Sequence, residues 1–249
     1  MTETSGFLDR SDGERIAWRR IDGTGPTVVW LGGFRSDMTG TKAQALADVA
    51  AARGWSYLRF DYHAHGASSG KWEDGTIGRW RADALAAIDG LTAGPLVLVG
   101  SSMGGWIACL TALARPERVK AMVLIAPAPD FTETLMRPHL TPEALREIEQ
   151  NGGWIDTAGP EGPYAITRAF LEDGARWSIL NGAVPIRAPV RILQGGRDEA
   201  VPWEHALKLA QAIGSDDVVF TLIKDGDHRL SRPQDLRRLE AAVEEAVGR

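Results

Sequence analysis

Ser102, Asp198 and His228 are the residues of this chain whose types could together perform nucleophilic chemistry. A serine hydroxyl is a weak nucleophile until a histidine takes its proton. A carboxylate must in turn fix the tautomer of that histidine and stabilise its charged form. Ser102 sits in Val97-Leu98-Val99-Gly100-Ser101-Ser102-Met103-Gly104-Gly105-Trp106, where a short apolar run meets a glycine-rich turn and enters a helix-like stretch. The pattern G-x-S-x-G fits Ser102 alone, because Ser101 would need glycines at positions held by Val99 and Met103. On a sharp strand-to-helix turn the glycines avoid collisions and the hydroxyl is pushed clear of the sheet. The Met103 amide, at the start of the helix, is then placed to donate to a developing oxyanion. A Gly/Ser turn that merely packs a helix on a strand uses the same residues, so the motif needs its context.

Asp198 leads the candidates for the acid, since it leaves its own strand (Val190 to Leu193) in Gly195-Gly196-Arg197-Asp198. Asp130, Asp225 and Asp227 are its rivals. His228 follows the last strand-like run, Val218 to Ile223. His205 falls within a helical pattern, His139 in a long intervening segment, and His63 and His65 in an early glycine-containing loop. The order Ser, Asp, His along the chain is one of several orders that build the same triad. A second oxyanion donor is expected from the loop Gly32-Gly33-Phe34-Arg35, as the backbone amide of Phe34. Arg35, Trp154 and Trp203 are candidate substrate contacts. This chemistry calls for neither a metal nor a cofactor.

The elements that must carry these groups alternate. Phe7 to Arg10 and Arg15 to Ile21 flank Asp12-Gly13 and read as a hairpin. Thr27 to Leu31, Ser56 to Phe60, Leu96 to Val99, Val119 to Ala126, Val190 to Leu193 and Val218 to Ile223 read as strands. Thr41 to Arg53 (with Gly54 as C-terminal cap), Ile77 to Leu91 (with Thr76 as cap), Trp106 to Ala114, Glu204 to Ile213 and Pro233 to Val247 read as helices. Strand-helix alternation predicts an α/β fold, a mostly parallel sheet covered on both faces and entered by an antiparallel hairpin. Each candidate group then leaves the carboxyl end of a strand, where open α/β sheets bind ligands. Residues 127 to 189 break the rhythm, with helical pieces from Thr141 onward but no strand pattern. A segment of that length reads as a helical lid inserted in a single domain spanning 1–249.

Composition bounds the rest. The chain has 249 residues and a formal net charge of −5, so no basic field favours nucleic acid. With one cysteine, Cys109, it holds no internal disulfide. Gly90 to Ala114 is uncharged and long enough to span a bilayer, but Gly94-Pro95 and the Gly100–Gly105 cluster divide it, so a buried strand and helix are expected instead. The opening Met1-Thr2-Glu3-Thr4-Ser5-Gly6 has no apolar signal core and no Arg-rich pattern, and a cytoplasmic location is expected.

Asp61-x-x-x-His65-Gly66-x-Ser68, Gly100-x-Ser102-x-Gly104 and Asp198-x-x-Val201-Pro202 resemble the serine-hydrolase branch of the α/β-hydrolase superfamily. More narrowly, four stretches are similar to one family within it: Gly33-Phe34-x-Ser36-Asp37-Met38-x-Gly40-Thr41-Lys42-Ala43, Gly100 to Trp106, Ala114-Arg115-Pro116-Glu117, and Asp227-His228-Arg229. Gly153-Trp154 and Glu161-Gly162-x-Tyr164 extend the likeness into the lid. That family contains mitochondrial palmitoyl-protein thioesterases that also cleave acyl glucuronides. The resemblance implies an α/β-hydrolase fold and hydrolysis of acyl thioesters or esters through an acyl-serine, with a small-molecule or acylated substrate. A carboxylesterase on small esters reuses the same residues, as would a C–C hydrolase or a perhydrolase. A fold that has lost catalysis and only binds is the reading from another class. Arg35 departs from the family pattern, which has an apolar residue there.

Overall fold

The computed structural model describes residues 2–157 and 162–249. In chain order the strands are β1 (Glu3–Asp9), β2 (Arg15–Ile21), β3 (Thr24–Leu31), β4 (Trp55–Phe60), β5 (Leu96–Ser101), β6 (Val119–Ile125), β7 (Gly153–Asp156), β8 (Tyr164–Thr167), β9 (Val190–Gly195) and β10 (Val218–Ile223). The α-helices are α1 (Thr41–Arg53), α2 (Ile77–Leu91), α3 (Met103–Ala114), α4 (Pro142–Asn151), α5 (Arg168–Arg176), α6 (Trp203–Ala212) and α7 (Pro233–Gly248). Eight strands form one sheet in the order β1-β2-β4-β3-β5-β6-β9-β10. The β1/β2 and β2/β4 pairs are antiparallel and the remaining ladders are parallel.

Period-two alternation divides the strand side chains between two layers. Val28, Trp30, Val97 and Val99 pack with Ala43, Leu46 and Ala50 of α1 and with Leu239 and Val243 of α7. Val29, Leu31, Leu96 and Leu98 pack on the opposite face with Trp80 and Ile88 of α2 and with Trp106 and Ile107 of α3. The uncharged stretch from Gly90 to Ala114 is therefore the centre of the protein, β5 followed by α3, both almost wholly buried. No helix among the described residues is long and apolar enough to cross a membrane.

Local signals in the sequence have their expected structural effect. Thr76 Oγ1 accepts from the Arg79 amide and Thr141 Oγ1 from the Ala144 amide, so both threonines cap helices. Gly54 ends α1 at φ 73°, a left-handed conformation that glycine adopts without strain.

Two expectations are corrected. β3 begins at Thr24 rather than at Thr27 and runs through Gly25-Pro26; Thr24 pairs with Trp55 and the register then shifts before Val28. The segment 127–189 is not purely helical, because Gly153–Asp156 and Tyr164–Thr167 pair as an antiparallel hairpin beside α4 and α5. Each strand has only four residues and is flanked by glycine, too short to announce a period. Glu161 of the family-like stretch lies outside the described residues.

Candidate active site

The chain steps from β3 outward to β4, then returns past β3 to lay down β5 and proceeds in the other direction. Ser102 stands at this reversal, just beyond the carboxyl end of β5, where a crevice opens between loops diverging to either side. Its backbone has φ 55° and ψ −119°, a conformation costing about 1–3 kcal/mol for a residue with a side chain. Neighbours enforce it. The Ser102 amide donates to the Ile125 carbonyl, and its own carbonyl accepts from Gly105 and Ala128. The flanking glycines are required sterically: a Cβ at Gly104 would stand 2.0 Å from the Leu31 carbonyl oxygen, and one at Gly100 would stand 2.3 Å from that of Gly104.

His228 Nε2 lies 3.1 Å from Ser102 Oγ, and His228 Nδ1 lies 2.8 Å from Asp198 Oδ2. The three side chains expected to act together do meet, from three separate loops. Asp198 is buried and fully engaged. Its Oδ1 accepts from the amides of Ala200 and Val201, while Oδ2 also accepts from Gln194 Nε2 at 3.1 Å. Gln194 is wholly buried in β9, and sequence reasoning missed it; a glutamine after Ile192-Leu193 in the strand, four residues before Asp198, was the available signal. The rivals are occupied elsewhere. Asp130 accepts from the amides of Ile179 and Leu180, anchoring the end of the lid, and Asp225 pairs with Arg232. Asp227 caps the Leu230 amide.

The opposite wall is the β3–α1 loop. Gly33 brings it so close that a Cβ there would lie 3.5 Å from Ser102 Cβ. The Phe34 ring is held by five aromatic partners, edge-on to Trp72, Trp80, Phe131 and Tyr164 and stacked on Phe170. The Phe34 and Met103 backbones therefore flank Ser102 on rigid supports, and both residues line the cavity beside it. That cavity has a volume of about 410 Å³ and runs beneath the lid past Phe131, Leu135, Met136 and Ile166. Leu135 and Met136 come from a π-helical turn, Thr132–Met136, a rare element that is frequent at functional sites. Tyr164 and Asp156 supply polarity at the wall; burial and the neighbouring Asp156 carboxylate push the Tyr164 phenol up to about 12.

Arg35, Trp154 and Trp203 are the candidate contacts that the structure does not bring to this cavity. Arg35 has φ 58°, and its guanidinium lies over the Tyr164 ring at 4.6 Å while Nη1 donates to the Gly162 carbonyl. It clamps the β3–α1 loop to the lid hairpin. Trp154 packs its ring against the core from β7, and Trp203 opens α6 with an exposed side chain. Among the described residues no group of His, Cys, Asp and Glu could hold a metal ion.

His65 contributes from behind. Its Nε2 accepts from the Arg35 amide at 3.2 Å and its Nδ1 lies 3.0 Å from the His63 carbonyl, to which it donates. Acceptance at Nε2 requires the neutral ring, and burial lowers His65 to about 4. The folded-state value thus lies below the unfolded one of about 6.5, so the unfolded chain binds more protons between them. The stability held by neutral His65 is complete above pH 6.5 and is lost as pH falls through 4, with a slope of about 1.4 kcal/mol per pH unit. Buried Asp61, Asp83 and Asp130, raised by desolvation, act with the opposite sign. The expected result is that His65→Gln flattens the loss of urea midpoint between pH 6.5 and 4.5 relative to wild type. An identical slope in both proteins contradicts this role.

A family model for the alpha/beta hydrolase fold matches residues 30–156. Among curated proteins, the mouse mitochondrial palmitoyl-protein thioesterase ABHD10 is 37% identical over 244 residues, covering 97% of this chain and 82% of that protein. The human protein of the same name is 35% identical, with 97% and 79% covered. Among solved structures, a putative hydrolase from Agrobacterium vitis S4 superposes with a TM-score of 0.94 at 44% identity, covering 99% of this chain and all of that one. Mouse alpha/beta hydrolase domain-containing protein 10 does so with 0.91 at 35% identity, covering 98% of each. The relatives' names place those proteins in mitochondria and lend no support to the expected cytoplasmic location.

Proposed function

The chain belongs to the α/β-hydrolase family, and from that premise we propose that it is a serine hydrolase cleaving acyl thioesters or esters through an acyl-Ser102 intermediate. The observation that carries this reading is the unbroken hydrogen-bond chain Ser102–His228–Asp198 ending at the mouth of an apolar cavity. His228 Nε2 takes the Ser102 proton as Oγ attacks the acyl carbon, and Asp198, held by Gln194 and two amides, orients the imidazole and stabilises its positive charge. The negative charge that develops on the acyl oxygen is met by the amides of Met103 and Phe34. His228 then returns the proton to the departing sulfur or oxygen. Water, deprotonated by the same ring, releases the acid and restores Ser102.

The lid cavity is the acyl site in this reading. Its lining of Phe131, Leu135, Met136, Leu140 and Ile166 favours hydrocarbon by removing apolar surface from water. The curated relatives are named for palmitoyl-protein hydrolysis, which is consistent with a long acyl chain. The test is kcat/KM for acyl thioesters and p-nitrophenyl esters of graded chain length. Activity should rise with chain length until the cavity is filled, and Leu135→Trp should shift the optimum to shorter chains by several carbons. Flat activity across the series, or an optimum unmoved by Leu135→Trp, removes the acyl role from this cavity. No hydrolysis of any member leaves the binding-only reading in its place.

A further inference from the structure

Two cavities meet at Ser102. The second, of about 360 Å³, lies on the other side of the loop carrying Phe34 and shares Phe34, Ser102 and His228 with the first. Its character differs. Ser36, Asp37, Thr41 and Lys42 of the α1 approach form one wall, and Arg229 and Ser231 after His228 form the other.

Building on the acyl-transfer reading above, we propose that this cleft is the leaving-group site and that Lys42 makes it select departing thiols or alcohols that carry a carboxylate. Acyl transfer needs a place on each side of the bond that breaks. The apolar cavity suits the acyl chain, so the departing half falls to the polar cleft. His228, which must protonate the leaving atom, forms part of the cleft wall.

Lys42 is the group that gives the cleft a preference. Its ammonium donates to the Arg229 carbonyl, and among the described residues it makes no ion pair. Asp227 acts on it only at a distance, and Arg229 opposes that effect; burial prevails and lowers Lys42 to about 8. A half-buried cation held by one neutral acceptor lacks countercharge, and a bound carboxylate would supply it through a charge-assisted hydrogen bond. Asp37, the carboxylate of the cleft, is exposed and turned to its own turn, where Oδ1 accepts from the Thr39 amide and hydroxyl. Arg35, a candidate substrate contact from the sequence, is engaged with the lid instead.

The step balances without another reactant. Ser102 Oγ forms a bond to the acyl carbon as the C–S or C–O bond breaks, and the proton taken by His228 passes to the departing atom. The freed thiol or alcohol leaves through the cleft.

The test compares thioesters with one acyl chain, made from 3-mercaptopropionate and from its methyl ester. Wild type should favour the acid in kcat/KM, and Lys42→Met should lower that preference roughly tenfold, chiefly through KM. Lys42→Arg should retain most of the preference, and 0.5 M salt should narrow it in wild type. Equal losses on both thioesters would overturn the proposal and leave Lys42 as a support for the Arg229 carbonyl and the His228 loop. Binding to Ser102→Ala by calorimetry separates this from the catalytic reading. Tighter binding of the acid, lost in Ser102→Ala/Lys42→Met, supports the site even if wild type turns over neither thioester; that absence of turnover counts against hydrolysis alone. Equal binding of acid and methyl ester overturns the site.

Discussion

Replacing Ser102 by alanine is expected to lower kcat by roughly 10⁵–10⁶ and to abolish labelling by a fluorophosphonate. The account assigns bond formation to Ser102 Oγ alone, 3.1 Å from His228 Nε2. Without it, His228 has no hydroxyl to activate, and what remains is the contribution of the oxyanion amides and of substrate binding. Ser101→Ala is the control for the frame. Ser101 is the last residue of β5, paired with Ile125, and its backbone stays in the ladder. It should cost less than tenfold. The opposite pattern, with Ser101→Ala inactive and Ser102→Ala active, would move the nucleophile by one residue.

Asp198→Asn is expected to lower kcat about 10⁴-fold, the magnitude of the same exchange in serine proteases with this triad. The structure explains why an isosteric amide cannot substitute. The Asp198 carboxylate accepts from Gln194 Nε2, the Ala200 and Val201 amides and His228 Nδ1. An asparagine brings two hydrogens into a site that has only donors. If its oxygen keeps the two amides, its NH₂ faces both Gln194 and His228, and the imidazole is driven to the tautomer that cannot accept from Ser102. Asp130→Asn, by contrast, weakens the tether to Ile179 and Leu180 and should lower the urea midpoint while sparing the chemical step. A retained kcat in Asp198→Asn with a 10⁴-fold loss in Asp130→Asn would transfer the acid to the loop after β6.

What could be read from the sequence follows from how local each signal is. The Gly100–Gly105 turn, the Thr76 and Thr141 caps and Gly54 act through neighbours within a few residues, and the structure has them as expected. The parallel sheet was legible because buried strands such as Leu96 to Val99 are continuous apolar runs. The meeting of Ser102 with Asp198 and His228 spans more than 90 residues, yet their order and strand-exit positions foretold it. The β7/β8 hairpin was hidden, because four-residue strands beside Gly152, Gly153 and Gly162 cannot be told from loop. Arg35 was misplaced for a different reason. Its left-handed φ of 58° aims the side chain at Tyr164 and the lid, and no pattern in Gly32-Gly33-Phe34-Arg35 specifies that turn. Gln194 acts on Asp198 from only four residues away, whereas Lys42 acts across the fold on the Arg229 carbonyl, and sequence spacing carries no trace of that second pairing.

The central claim is a covalent acyl-Ser102 intermediate, and intact-protein mass spectrometry of enzyme quenched during turnover of a long-chain acyl thioester tests it most directly. His228→Ala, which slows both acylation and release, serves as the trapping variant beside wild type. The account predicts a mass increase equal to the acyl group, located by peptide fragmentation on Ser102 of Gly100–Trp106 and absent in Ser102→Ala. Steady turnover with the acyl group on another residue, or turnover that persists in Ser102→Ala, would contradict it.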